Sequence, residues 1–151
     1  MRYSSIILVT LAFYACADFG SEPGIQQLVG TWQIERSDGS GQYLWRDELT
    51  INNNLTFRNR ELIFDASSRQ FLGYKSIREG TFELGGNVFE LRTKKHAHTS
   101  EPYAPELIPA PVNEYVWQYK IVSLGRSAMI LRYICQPNEN CSGGVVVYTR
   151  V

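Results

Sequence analysis

An excess of positive charge is missing from this chain. Lys plus Arg equals Asp plus Glu at 15 each, and no basic stripe exists to neutralise phosphates, which argues against a nucleic-acid partner. The sequence has no phosphate-cradling glycine loop and no evident Cys–His pairing. It has no G-x-S-x-G elbow either, since Gly125-Arg126-Ser127-Ala128-Met129 lacks the closing glycine. No catalytic, cofactor-binding or metal-ligating residue is assigned on these grounds, and the expectation is a protein that is not an enzyme. There is no internal repeat, no low-complexity tract and no sustained 3.6-residue periodicity. The longest apolar run, Ile6 to Ala15, is about half of the roughly 20 residues that span a bilayer as a helix.

What remains is a folding sequence. It has 151 residues, 44% apolar and 13% aromatic, enough for one domain with its own core and not for two. The first segment places one positive charge, Arg2, before the apolar run, the order of a secretory signal. The run ends at Cys16, preceded by the small Ala15. This resembles a bacterial lipoprotein signal, in which such a cysteine is lipidated and becomes the first residue of the mature chain. Phe13 and Tyr14 are bulkier than the residues usual there, and an ordinary signal peptide cut elsewhere is the other reading. The division is then a signal over 1–16, a polar tether over 17–27 and one domain over 28–151. Losing 1–16 removes only Arg2 among the charges, leaving 14 cations against 15 carboxylates. The resemblance implies a cell-envelope address, with membrane attachment through acyl chains on Cys16.

That address permits disulfides. With Cys16 assigned to lipid, Cys135 and Cys141 remain as a pair across the loop CQPNENC. The spacing is not a redox motif, and no histidine stands beside it, so a structural bond is favoured over a working thiol pair.

From residue 31 onward, short β-branched and aromatic runs alternate with Gly, Asn and Ser clusters. The expected strands are 31–37, 42–51, 55–65, 72–84, 88–95, 114–123, 128–135 and 144–151. IQQLVG before them suits one helical turn. Asn52-Asn53-Asn54 and Gly85-Gly86-Asn87 are turn signals. A change of parity between Leu55/Phe57 and Leu62/Phe64 predicts a bulge or bend near 59–61. Short connections make neighbours antiparallel. Eight such strands avoid exposed edges by closing on themselves, so the predicted fold is all-β: an eight-stranded antiparallel up-and-down barrel.

The triplet Gly30-Thr31-Trp32 opens the first strand, eight meander strands follow, and Arg150 lies in the last. Together they resemble the lipocalin-like group of the calycin superfamily, and in particular the small lipocalin-like domains of bacterial lipoproteins, over nearly all of 28–151. The resemblance implies that Trp32 closes one end of the barrel, with Arg150 over the indole and Arg132 as the alternative cation. The chain is shorter than full-size lipocalins and has no room for the helix that follows the barrel there, so a large cavity is not implied.

Function is sought at the other end. Tyr115, Trp117, Tyr119 and Ile121 share one face of their strand, as do Tyr43, Trp45 and Leu49 of theirs. Tyr43, Trp45, Tyr115 and Trp117 are the candidate residues for a small apolar or amphipathic ligand; the same aromatics also suit plain core. Asp47 and Arg78 fall on these apolar faces, either as a pair inside the barrel or at its rim. His96 and His98, with Glu101 nearby, have half the makings of a metal site, but they read as solvated loop residues. The stretch 96–113 holds four of the six prolines and reads as a long loop. It could be a lid, a protein-binding surface or a tolerated insertion.

Overall fold

A computed structural model of the chain describes residues 23–137, 139–141 and 143–151. Cys16, the expected signal segment and most of the tether lie outside the described residues. A short helical turn α1 (Ile25–Leu28) precedes β1 (Gly30–Ser37), β2 (Tyr43–Ile51), β3 (Thr56–Asp65) and β4 (Phe71–Gly85). The chain continues through β5 (Val88–His98), β6 (Ala110–Leu124), β7 (Ala128–Tyr133) and β8 (Val145–Arg150). Each strand pairs antiparallel with its sequence neighbours, and β8 returns to β1 through Trp32 opposite Arg150 and Gln33 opposite Thr149. The protein is a closed eight-stranded barrel with up-and-down order, an architecture consistent with a calycin-like fold. Closure removes both sheet edges, which is why a meander of this length is stable without a partner sheet.

The core sits in the half of the barrel nearest α1. Trp32, Leu49, Ile51, Phe57, Phe82, Phe89, Met129 and Leu131 are buried there, with Leu28 packed beneath them. Trp32 is fully buried and donates from Nε1 to the carbonyl of Leu28 at 2.7 Å. The guanidinium of Arg150 stands 4.3 Å from the centre of the indole ring. It also donates to the carbonyls of Val29 at 3.2 Å and Gln27 at 2.5 Å. Three carbonyls at the end of α1 thus find donors from β1 and β8, where a helix leaves its last carbonyls unsatisfied. Gly30 has φ +137°, and a Cβ there would lie 3.3 Å from Arg150 Nη1. Glycine suits this position on both counts.

Strand bounds agree with the sequence reading to within a few residues except at β5 and β6. The structure carries β5 on to His98 and starts β6 at Ala110, so the irregular stretch is 99–109 and not 96–113. The missed residues are His96-Ala97-His98 and Ala110-Pro111-Val112-Asn113, whose polar and proline-bearing sequence looks like loop until a neighbouring strand supplies hydrogen bonds. The stretch between is not free. Ala104 exchanges backbone hydrogen bonds with Tyr74 at 2.7 and 2.9 Å, and Tyr103 meets Tyr43 edge-on at 6.0 Å. The bulge expected in β3 lies in its neighbour instead: β3 pairs β2 without a break, and the register shifts beside Glu61/Leu62 and Ile63/Phe64 come from the extra residues Lys75 and Leu72 of β4. Cys135 and Cys141 form a disulfide, with Cα atoms 5.9 Å apart.

Candidate functional site

Alternation along the strands sends a second set of side chains inward at the end away from Trp32. Register places Asp47 of β2 opposite Glu61 of β3, Glu61 opposite Ser76 of β4, and Asn59 opposite Arg78. Most of these polar groups find partners among themselves inside the barrel. Asp47 accepts from Asn59 Nδ2 and from the Tyr148 hydroxyl, the latter at 2.9 Å. Glu61 accepts from Ser76 Oγ at 2.9 Å and faces Arg78 at 3.9 Å. Arg78 therefore pairs with Glu61, and Asp47 takes neutral donors instead. The Arg78 guanidinium also lies over Trp117, 4.9 Å from its ring.

Burial sets the electrostatics. Desolvation pushes the Asp47 carboxyl above its usual range, against the hydrogen bonds from Asn59 and Tyr148 and the charge of Arg78. The same cause pushes Tyr119 up to about 12 and Tyr148 well above a normal phenol. His96 is held below the ordinary imidazole value, first by burial and then by Arg78 and His98. A carboxyl whose folded pKa is raised stabilises the fold fully below its unfolded value, near 3.8, and loses that contribution as pH rises through the folded value. Asp47→Asn keeps an acceptor for Tyr148 and cannot ionise. We expect thermal melts from pH 4 to 7 to show the wild-type protein losing stability relative to Asp47→Asn as pH rises. Parallel curves would show that folding leaves the Asp47 pKa unshifted.

Two irregularities in the ladders then open a cleft beside this cluster. On β5, Thr93 pairs with Gly80 while Lys95 pairs with Glu79, so Lys94 is an extra residue. The bulge swaps parity: Lys95 turns out to meet Glu79 at 3.9 Å, and His96 comes opposite Arg78. On β6, the step from Thr93 to Lys95 is matched by the step from Tyr115 to Pro111, four residues against two. The slack leaves Val112 and Asn113 without ladder partners on β5. The resulting cleft of about 380 Å³ is lined by Arg78, Thr93, His96, Val112, Asn113, Tyr115 and Trp117. Deeper in, a cavity of about 30 Å³ touches Asp47, Asn59, Thr93, Tyr119 and Tyr148. That is room for about two waters, far below the roughly 300–1,000 Å³ of small-molecule sites.

The four aromatic candidates divide. Tyr115 and Trp117 form one wall of the cleft and continue an aromatic series: Tyr115–Trp117 at 5.2 Å, Trp117–Tyr133 at 5.8 Å and Tyr133–Tyr119 at 5.6 Å, the first and last edge-to-face. Tyr43 packs on Tyr103, and Trp45 lies in register between Arg36 and Ile63; neither lines the cleft. Thr93, His96, Val112 and Asn113 were not among the sequence candidates. Thr93 alternates in phase with Phe89 and Leu91, a legible signal; His96 is masked by the bulge. His96 and His98 stack at 5.2 Å within β5, and no set of three metal-capable side chains gathers among the described residues. No protein-family model matches the chain, and no curated protein matches it in sequence.

Proposed function

We propose that the protein is a non-enzymatic, envelope-anchored binding protein that takes a small amphipathic molecule in the cleft between β4, β5 and β6. The observation that carries this reading is the cleft itself. It has the volume of a ligand site, aromatic walls from Tyr115 and Trp117, and a polar floor at Arg78 and Thr93. The barrel interior is packed, so the ligand sits at the mouth and not along the axis. A lipid on Cys16 is compatible with this placement, since α1, the first described element, lies at the closed end of the barrel.

A titration with the fluorescent apolar probe N-phenyl-1-naphthylamine tests the cleft. The wild-type protein is expected to bind it saturably, and Trp117→Ala to weaken binding at least about tenfold, as loss of a buried aromatic anchor does. Absence of saturable binding sinks the reading. The anchor has a separate test, in which Cys16→Ala moves the protein from the membrane fraction to the soluble one; unchanged fractionation refutes lipidation.

The packed interior favours one rival. A filled barrel can serve as an interaction module for another protein, with the stretch around 96–113 as its contact surface. Ile108, 82% exposed within it, suits that use. Failure of the probe to bind leaves this reading standing.

A further inference from the structure

The floor of the cleft says more about the polar end of the ligand, on the reading that the cleft is a binding site. Arg78 Nε and Thr93 Oγ1 are buried, and neither has a hydrogen-bond partner among the described residues. Thr93 is only 3% exposed. Both residues line the cleft and the small cavity behind it. Buried polar atoms in folded proteins are nearly always partnered, and each orphan calls for an explanation. A guanidine N–H can only donate, and a hydroxyl can donate or accept. The missing partner at Arg78 is therefore an acceptor.

Charge decides which kind. One guanidinium here already answers two carboxyl groups, Glu61 directly at 3.9 Å and Asp47 through the field it exerts on that carboxyl. His96 lies opposite Arg78 but is held below the usual imidazole pKa, so it brings no second cation at neutral pH. An ionised ligand carboxylate would compete with Glu61 for the one cation at the floor of the cleft, beside the half-buried pair, where unbalanced charge is costly. An uncharged acceptor suffers no such repulsion and still takes the hydrogen bond. We infer that the cleft selects ligands whose polar end is an uncharged carbonyl or amide, held by Arg78 and Thr93, with the apolar body against Tyr115 and Trp117.

The experiment uses a matched pair, dodecanamide and dodecanoate, displacing N-phenyl-1-naphthylamine from the purified protein at pH 7.5. The amide is expected to bind at least about tenfold tighter than the carboxylate. Thr93→Val is isosteric and removes an orphan hydroxyl, so it should keep the wild-type melting temperature and lose about three- to tenfold of its amide affinity. Equal or tighter binding of dodecanoate overturns the inference, and so does amide affinity unchanged in Thr93→Val. If the probe binds but neither chain compound displaces it, the inference fails while the cleft survives as a binding site. If the probe itself does not bind, the functional reading fails and the inference with it.

Discussion

Trp32→Ala is expected to lower the unfolding free energy by about 3–5 kcal/mol, the range for truncating a large core side chain. The indole is fully buried and packs in the cluster of Leu28, Leu49, Ile51 and Met129. Its removal also strips two polar partners. The Leu28 carbonyl loses the Nε1 donor at 2.7 Å, and the Arg150 guanidinium loses the ring 4.3 Å beneath it. Trp32→Phe separates these contributions. It retains most of the apolar surface but leaves the Leu28 carbonyl unpaired, a change worth about 1–3 kcal/mol. Urea unfolding followed by circular dichroism measures both. A Trp32→Ala variant within about 1 kcal/mol of wild type would show that the end of the barrel repacks without its plug.

The closing of that end was legible through the lipocalin-like resemblance, which three residues carry. Gly30 marks a backbone that other residues resist, Trp32 follows it by two, and Arg150 falls in the last strand. The barrel itself was legible from local signals. Alternation in β2 and β6 and the turns at 52–54 and 85–87 are written in neighbouring residues, and closure follows from the need to hide edges. Bulges are different. The extra residue Lys94 gains its meaning only from Gly80 and Glu79 across the ladder, and one such residue turns His96 from outward to inward. The residues of β5 beyond Lys95, and the start of β6, were read as loop.

The polar interior shows the same limit. Asp47 and Arg78 stood out as charges on apolar faces, so their inward direction was readable. Their partners were not. Tyr148 lies 101 residues from Asp47 in sequence, and nothing near either residue announces the contact. Nor does composition reveal that the cluster is nearly self-satisfied, leaving unpartnered atoms at Arg78 and Thr93 where the cleft begins. The site is thus a product of register, set by two bulges, more than of any motif.

Gly80→Ala tests that dependence on register. Replacing glycine by alanine in a compatible strand usually stabilises by about 0.4–1 kcal/mol, through the unfolded chain. Here the sign should reverse. A Cβ at position 80 would lie 1.9 Å from the carbonyl oxygen of Arg92 and 3.0 Å from the Phe57 ring. The obstacle is backbone on the neighbouring strand, which cannot rotate away as a side chain would. Relief requires β4 and β5 to part where their register shifts between Glu79 and Gly80. We expect a loss at the upper end of the roughly 1–3 kcal/mol typical of overpacking, or beyond it. Gly85→Ala is the control, since a Cβ there meets nothing within 4 Å, and it should be neutral or slightly stabilising. Because Gly80 pairs with Thr93, two positions from Arg78, the Gly80→Ala variant should also bind the apolar probe more weakly, while Gly85→Ala should not. Equal melting temperatures for the two variants would mean that the ladder yields at Gly80 without cost, and the bulge would then not hold Arg78, Thr93 and His96 in place.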